Sequence, residues 1–287
     1  MNEETKITIK GKFVKIASIE NEWFVDVKEP ASMINEMKNG RNKADIFTFW
    51  QRLPDMEPKY NYHMEWDNVA ALQVKSFDQW WKNQINAKTR NMIRKSQKKG
   101  VQTRVVNFSD ELVDGIKKIF DESPIRQGKP FWHYEKDFSK VKEEMSDRLD
   151  HSEFIGAYYD DELIGFIKLL HVDNYTMIVE ILSMIQHRDK SPTNALVAKA
   201  VEICEEKNIP FLVYAKWSWG TLGDFKKRSG FEKIELPRYF IPLNIKGKLI
   251  LLLHLHNGIK AIIPKPLKSK LILIRKKLYT RKMLQSA

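Results

Sequence analysis

The sequence predicts an α/β (α+β) protein, in which a mixed central sheet is flanked by helices and preceded by a smaller, strand-rich N-terminal part. Two observations lead to this prediction. Along residues 101–243, hydrophobic residues recur by turns with the periods of strands and of helices, and turn-forming residues separate these segments. A hydrophobic share of 43% in a chain of 287 residues is enough for a buried core.

The first hundred residues are predicted to form strands followed by one basic helix. Alternating and β-branched residues favour strands at residues 6–19, 23–27, 45–50 and 62–74. Residues 76–99 have a helical pattern, in which Ser76 can cap the N-terminus with Gln79 as its capping-box partner. Gly100 follows at a position suited to a helix C-terminus. The N-terminal part therefore spans residues 1–100.

The middle part, residues 101–243, has a regular order of elements. In chain order these are a strand (101–106), two helices (110–120 and 138–149), three strands (153–159, 163–171 and 175–185), a helix (193–207), a strand (210–215), a helix (220–229) and two strands (231–236 and 239–243). The acidic pair Asp160-Asp161 indicates a tight hairpin between the first two of the three consecutive strands. This order predicts one mixed sheet with helices packed against it.

Positive charge is concentrated at the end of the chain. There are 49 Lys and Arg residues and 37 Asp and Glu residues, which give a formal net charge of +12. No acid follows Glu235, and the 12 bases beyond it account for the whole excess. Residues 244–287 are therefore predicted to be a basic, amphipathic C-terminal segment, with apolar clusters at residues 249–253 and 271–274.

Two phrases within residues 101–243 resemble a known superfamily. The hairpin phrase FIGAYYDDELIGFIKLL resembles the central strands of the GNAT acyltransferases. The phrase LGDFKKRSGFEKIEL resembles the GNAT segment in which a short helix ends at Gly-Phe and leads into the next strand. With the order of elements, these phrases carry the resemblance over half of the chain. It implies the GNAT fold and an acyltransferase activity of the N-acetyltransferase kind.

Three further features resemble the bacterial Fem-type (FemAB-like) aminoacyltransferase branch. TRNMIRKSQKKGV resembles the basic helix before its main domain, and SPTNALVAKAVEICEEKNI resembles its helix before the fifth strand. DFKKRSGF places Lys226 where that branch keeps a lysine. Residues 1–100 would then be a reduced GNAT-like copy or an appended sheet. The resemblance implies transfer of an acyl or aminoacyl group, from acyl-CoA (acetyl-CoA) or aminoacyl-tRNA, to an amine acceptor of cell envelope biosynthesis, such as a cell-wall or surface-polysaccharide precursor.

Two residues are candidates for catalysis. Acyl transfer to an amine needs a base for the amine proton and hydrogen-bond donors for the developing oxyanion. Glu180 is the candidate base, because it interrupts the apolar run of residues 177–185 on the predicted central strand. A carboxylate there faces a cleft or is paired, since burial alone is costly. An ion pair or a solvent-facing position is the structural alternative. Lys226 is suited to holding a carbonyl oxygen or a phosphate.

The candidate donor site lies at the start of the predicted helix 193–207. Free main-chain N–H groups at a helix N-terminus bind anions, and nearby bases add positive charge. The predicted donor-binding residues are Arg188, Lys190, Thr193 and Asn194. The GNAT pyrophosphate loop contains glycines, whereas residues 188–194 contain none. The donor therefore stays open between acyl-CoA and aminoacyl-tRNA, and a helix that merely starts beside solvated bases is the alternative.

The acceptor is predicted to meet two segments rich in charged and aromatic side chains. The loop SPIRQGKPFWHY has a composition suited to an anionic or sugar-like group. A second aromatic segment follows the strand 210–215, where GNAT clefts open. The predicted substrate-binding residues are Arg126, Lys129, His133, Tyr134, Tyr214 and Trp217. The alternative is that these aromatic residues cap or fill the core.

The basic segments are open to three interpretations. No acid occurs from residue 79 to residue 109, a stretch that contains eight bases, and none occurs in the C-terminal segment. Such segments suit an anionic membrane surface that carries a lipid-linked acceptor, or tRNA. The third interpretation is a C-terminal element that docks on the body with its lysines outward. The alternative function is a catalytically inactive GNAT-like module that binds nucleic acid or anionic membrane.

The sequence predicts no metal site, disulfide or membrane span. The histidines at 63, 171, 187, 254 and 256 lack further ligands at metal-site spacing. Cys204 is the single cysteine and lies in an apolar helical pattern, which indicates core packing. No apolar run approaches the ~18 residues of a membrane span, and the N-terminus lacks the pattern of a signal peptide. We expect a cytoplasmic protein, and if the basic segments bind membrane, this protein contacts the inner membrane face peripherally.

Overall fold

The computed structural model describes residues 6–40 and 43–258. The strands are β1 (Ile7–Lys10), β2 (Ile16–Ile19), β3 (Ile46–Trp50), β4 (His63–Gln73), β5 (Gln102–Val106), β6 (Ile125–Arg126), β7 (Lys129–Pro130), β8 (Ser152–Tyr159), β9 (Glu162–Val172), β10 (Tyr175–Ser183), β11 (Phe211–Val213) and β12 (Glu232–Pro242). The helices are α1 (Pro30–Asn39), α2 (Phe77–Gln79), α3 (Ala87–Lys98), α4 (Asp110–Asp121), α5 (Phe138–Ser146), α6 (Pro192–Glu206), α7 (Thr221–Arg228) and α8 (Ile245–Leu252). The predicted mixed α/β class is confirmed.

The chain divides into two compact units. The first unit comprises the described residues within Met1–Gln51, Glu57–Trp66 and Pro237–Ala287, and the second comprises Arg52–Met56 and Asp67–Leu236. Strands β4 and β12 contribute residues to both. The basic helix α3 packs into the core of the second unit through Ile93.

In the first unit, β1 pairs antiparallel with β2, β2 parallel with β3, and β3 antiparallel with β12. Helix α1 covers these strands, since Ile34 and Met37 are buried against Phe47, Phe49 and Tyr239. A polar network links the start of α8 to this sheet. Asp45 accepts hydrogen bonds from the Lys15 N–H (2.9 Å), from Lys246 Nζ (2.9 Å) and from the Asn244 side chain (3.3 Å), and Asn244 also caps α8.

In the second unit, six strands lie in the order β4-β11-β10-β9-β8-β5, and the one parallel pair among them is β10 with β11. Helices α4 and α6 pack on the hairpin β8–β9. The amphipathic pattern of α4 explains its position, because Leu112, Ile116 and Phe120 share one face and are buried in the core. The predicted hairpin turn is also confirmed, since Asp160 and Asp161 both have positive φ angles, of 48° and 61°.

The structure corrects several predicted elements. The segment 76–99 is not one helix. Ser76 caps α2 as predicted, but a π-helical turn follows, the helix breaks, and Asn86 caps α3 by accepting from Thr89 N at 2.9 Å. The two strands predicted at 231–236 and 239–243 are the single strand β12. Helix α1 was not predicted because it has few apolar positions per turn. Helix α8 was not predicted because its apolar residues lie on both its buried and its exposed sides and form no single stripe.

The C-terminal segment lies only partly within the described residues. Its apolar cluster at 271–274 and nine of its bases, from Lys260 onward, lie outside them. Among the described residues, no helix has both the length and the apolar character needed to cross a membrane.

Candidate active site

The strands β10 and β11 diverge after a short paired stretch. They pair only at Thr176 with Leu212 and Met177 with Val213. After Val213 the chain that follows β11 stays beside β4 and no longer pairs with β10, since Tyr214 N donates to Ala70 O at 2.7 Å. Within the described sheet, β10 therefore continues to Ser183 with a partner on one side only. We call this divergence of β10 from the chain after β11 the splay.

Glu180 lies on β10 within the splay. The register shifts between Ile178 and Glu180, so Val179 has no partner on β9 in the described ladder. Such a bulge bends a strand and redirects the adjacent side chain. The Glu180 side chain is 20% exposed, and its Oε1 lies 3.4 Å from Nε2 of His133. The interruption in the apolar pattern thus marks a half-buried carboxylate at a strand irregularity.

His133 connects Glu180 to a second carboxylate. Its side chain is 1% exposed and stacks on Phe120, with ring centroids 4.1 Å apart. Its Nδ1 lies 3.4 Å from Lys136 Nζ and 3.7 Å from Oε2 of Glu144, and Lys136 Nζ lies 2.7 Å from that same oxygen. Nε2 makes no hydrogen bond of standard geometry within the described residues. We name Glu180, His133, Glu144 and Lys136 the His133 array. In this array the buried imidazole lies between two carboxylates of similar exposure, Glu180 at 20% and Glu144 at 26%.

Tyr214 and Lys226 lie on the other side of the splay. Burial, together with the negative charge of Glu180, raises the pKa of Tyr214 to about 12, so its hydroxyl remains protonated at neutral pH. Lys226 is 1% exposed and donates to Tyr214 O (2.7 Å), Lys216 O (2.8 Å) and Ser218 Oγ (3.2 Å). Burial lowers the pKa of Lys226 to about 8. The three bonds make Lys226 the support of the segment 214–218.

A second buried lysine was missed by the sequence reasoning. Lys168 on β9 stands opposite Glu180 in the register and is 3% exposed. Its Nζ donates to Met145 O (2.8 Å) and Asp147 O (2.7 Å), and burial lowers its pKa despite the opposing charges of Asp147 and Glu180. The available signal was a lone lysine inside the otherwise apolar run of β9. It adds positive charge near Glu180.

The predicted donor residues lie around the start of α6, which is attached to the end of β10. Thr193 Oγ1 lies 2.9 Å from the hydroxyl of Ser183 on β10. Asn194 N donates to Ser191 O. Arg188 is exposed, whereas Lys190 lies 4.4 Å from the ring centroid of Tyr159 and 3.1 Å from a ring nitrogen of His187. Pro192, the first helical residue, has no N–H, so this helix end offers one donor fewer.

A carboxylate of the protein occupies main-chain N–H groups just before this helix. Glu122 accepts from Ile185 N at 2.6 Å and from Gln186 N at 2.8 Å. Arg126 donates to the same carboxylate (3.1 Å), to Ile119 O (2.6 Å) and to Ser183 O (2.9 Å). The guanidinium of Arg126 therefore holds the loop after β10 in place.

The other predicted acceptor residues are dispersed. Lys129 is exposed on the two-stranded hairpin β6–β7. The negative charge of Glu135 raises the pKa of Tyr134, which lies beside the aromatic loop. Trp217 is half-buried, and its main-chain N–H donates to Asn68 Oδ1 at 3.0 Å. Of the predicted substrate-binding residues, the structure thus brings His133 and Tyr214 to the neighbourhood of Glu180.

Comparison with solved structures identifies the fold. FemX matches with a TM-score of 0.59 at 10% identity, over 86% of each chain. L-PGS from Bacillus licheniformis matches with a TM-score of 0.56 at 12% identity, over 87% of this chain and 85% of that one. The C-terminal domain of a candidate lysylphosphatidylglycerol synthetase from Agrobacterium fabrum matches with a TM-score of 0.56 at 13% identity. This match covers 86% of this chain and 83% of that one. No protein-family model and no curated protein matches the chain. The fold is that of GNAT-like acyltransferases.

Proposed function

We propose that this protein is an N-acyltransferase that moves an aminoacyl group from aminoacyl-tRNA to an amine acceptor. The observation that carries the proposal is the position of Glu180, a half-buried carboxylate at the bulge of β10 within the splay, with the imidazole of His133 3.4 Å away. In the proposed reaction the acceptor amine attacks the carbonyl of the aminoacyl ester. A C–N bond forms, the C–O bond to the ribose breaks, and the amine loses a proton.

The residues at the splay supply the base and the oxyanion donor that this reaction needs. Glu180 takes the proton from the attacking amine, and the buried imidazole of His133 lies 3.4 Å from its carboxylate. The released ribose oxygen takes up a proton, so the overall charge balances. The protonated hydroxyl of Tyr214 is the candidate donor to the developing oxyanion. No covalent enzyme intermediate is required, which agrees with the inert character of Cys204, whose thiol pKa burial raises to about 12.

The geometry before α6 favours aminoacyl-tRNA over acyl-CoA as donor. A pyrophosphate needs unoccupied main-chain N–H groups at the strand-to-helix loop. Here Glu122 occupies two of them, at Ile185 and Gln186, and Pro192 removes a third donor. Aminoacyl-tRNA is one of the two donors that the Fem-type resemblance of the sequence implies. Acyl-CoA remains the competing donor, and its binding would require displacement of Glu122.

We propose a lipid-linked or lipid acceptor. Helix α8 and the residue after it expose four large apolar side chains: Ile245 (78%), Leu249 (54%), Leu252 (75%) and Leu253 (60%). Lys248, an exposed base, belongs to the same helix, whereas Lys246 of this helix is paired with Asp45. Apolar groups flanked by bases bind anionic membrane surfaces. One of the similar structures is named as a lysylphosphatidylglycerol synthetase, and lysylphosphatidylglycerol is an aminoacylated phospholipid. A cell-wall or surface-polysaccharide precursor is the alternative acceptor.

A transfer assay tests the proposal. Purified protein is incubated with a mixture of radiolabelled aminoacyl-tRNAs and vesicles of phosphatidylglycerol and phosphatidylethanolamine, and label in the lipid fraction is measured. Glu180→Gln should lower kcat by ~10²–10⁴-fold, the usual contribution of a positioned base. Glu232→Gln, at an exposed position on β12, is the matched control and should leave the rate unchanged.

The outcomes separate the proposed functions. Transfer that Glu180→Gln abolishes supports the proposed chemistry, whereas equal rates in the two variants would remove Glu180 as the base. A thermal shift with acetyl-CoA and none with charged tRNA would replace the donor by acyl-CoA. Vesicle or tRNA binding without transfer to any lipid or amine acceptor would favour the inactive binding module.

A further inference from the structure

We infer that His63, Glu65 and His256, all in the first unit, form a binding site for a divalent transition-metal ion of the zinc class. Their ligand atoms lie within 4.8 Å of one another. Nε2 of His256 is 2.7 Å from Oε1 of Glu65, and Nε2 of His63 is 3.7 Å from the same oxygen. Two imidazoles and a carboxylate thus converge on one point.

These distances agree with the size of a zinc centre. Zn–N and Zn–O bonds of about 2.0–2.2 Å place the ligand atoms of a tetrahedral site about 3.3 Å apart. The two observed separations lie on either side of this value, so sub-ångström movements of the side chains would accommodate the ion. Imidazole with carboxylate is a ligand set that suits zinc, and its neighbours in the first transition row.

A third imidazole is available as the fourth ligand. The rings of His63, His254 and His256 form a nearly regular triangle, with centroid separations of 5.9, 6.1 and 6.4 Å. His254 is exposed, so its side chain can rotate toward the other two without repacking the core. The site is therefore predicted to hold the metal by three ligands, with His254 or water in the fourth position.

The residues around the cluster hold the side chains of His256 and Glu65 in place. The His256 side chain is fully buried and packs on Phe240, with ring centroids 4.7 Å apart. Its Nδ1 is buried and has no hydrogen-bond partner among the described residues. Asn257 Nδ2 donates to both oxygens of Glu65, at 3.2 and 3.1 Å, and so fixes the carboxylate. Partners of this kind orient metal ligands.

This cluster could not be predicted from the sequence, because its ligands are far apart along the chain. His254 and His256 alternate near the end of the described chain, and no acid lies near them in the sequence. The fold supplies the carboxylate from β4, 191 residues from His256. A simple His–Glu ion pair that attaches the turn Leu255–Asn257 to β4 is the competing interpretation. A bound metal would additionally link the two segments and raise the stability of the first unit.

The test uses the full chain without a polyhistidine tag, because such a tag binds zinc itself. Protein stripped with EDTA and dialysed is titrated with Zn²⁺ in a calorimeter, and bound metal is counted by mass spectrometry. We expect one equivalent of zinc and a rise in Tm. His256→Ala and Glu65→Gln should weaken binding by at least about 100-fold, since even the partners of metal ligands contribute ~10–100-fold. His151→Ala, at an exposed histidine of the second unit, is the matched control.

A spectroscopic measurement keeps the test decisive if a variant fails to fold. Co²⁺ bound to the wild-type chain should show the strong visible absorption of a tetrahedral centre. Buried Cys204 cannot contribute to it, so no thiolate charge-transfer band should appear. Less than one equivalent at a Zn²⁺ concentration of about 100 μM, or equal affinity in the His256→Ala and His151→Ala variants, would overturn the inference and leave the ion pair as the explanation.

Discussion

Replacement of Lys226 by methionine tests how the segment after β11 is held at the splay. Methionine keeps the length of the side chain and fills the same buried volume, but it removes an ammonium that donates to two main-chain carbonyls and one hydroxyl. Each carbonyl that loses its donor costs about 1–3 kcal/mol when water cannot replace it. The carbonyls of Tyr214 and Lys216 are only partly buried, and methionine avoids the cost of burying a charge. We therefore expect a net loss of about 2–3 kcal/mol.

Urea unfolding followed by tryptophan fluorescence measures this loss as a lower midpoint with an unchanged m-value. Lys227→Met is the matched control, because Lys227 is the next residue of α7 and is exposed. Its effect should stay within about 0.5 kcal/mol. Equal unfolding midpoints for the two variants would refute the argument that Lys226 supports the segment 214–218. In the transfer assay, a supporting role predicts a raised KM together with a lowered kcat, since the whole segment moves.

Three further predictions concern the two units. The Cys204 thiol, with its raised pKa of about 12, should resist iodoacetamide at about pH 8 in the native protein; one equivalent of label should enter only in denaturant, and rapid native labelling would contradict the burial. At Asp45, burial alone would raise the pKa, but the hydrogen bonds described above outweigh it and lower the pKa below 3.8. Its contribution to stability is therefore present above that value and is lost as the pH falls through the lower folded pKa. Asp45→Asn should accordingly lose less stability than the wild type on acidification below about pH 4, and parallel curves would exclude this contribution. Gly230 has a φ of +91°, and an added Cβ would lie 3.1 Å from Nε1 of Trp80. Gly230→Ala should cost about 1–3 kcal/mol, and more than Gly128→Ala, which meets no neighbour within 4 Å; the reverse order in thermal unfolding would contradict the packing argument.

Much of the second unit could be predicted because its elements carry strong local signals. Helix α4 has a cap, acidic residues in its first turn and one apolar face, and it appears within one residue of the prediction. The hairpin β8–β9 combines a turn of two aspartates with flanking apolar runs. In contrast, α1 was missed, since its ten residues bury only Pro30, Ile34 and Met37. A stripe this sparse does not stand out from neighbouring strand-like segments.

The candidate site was predicted by residue type but not by arrangement. Glu180 could be chosen because a charge interrupts a buried strand. The contact with His133 joins a loop to a strand 47 residues away, and no local pattern reports such a contact. Lys168 shows most clearly that a sequence pattern does not report which side chains lie together. A single lysine in an apolar strand is visible in the sequence, yet only the register places it opposite Glu180.

The pairing of β11 has a consequence for the order in which the chain folds. Val213 on β11 pairs with Ala71 on β4, 142 residues earlier, whereas the hairpin β8–β9 closes across two residues. Pairings between distant segments must pay the entropy of loop closure before their contacts stabilise them, and they form slowly. The three residues of β11 are also too few to hold a position alone. During synthesis the hairpin can assemble early, but the splay cannot exist until β11 and Lys226 have left the ribosome. Activity should therefore appear only in chains that extend beyond α7, however stable a shorter fragment is.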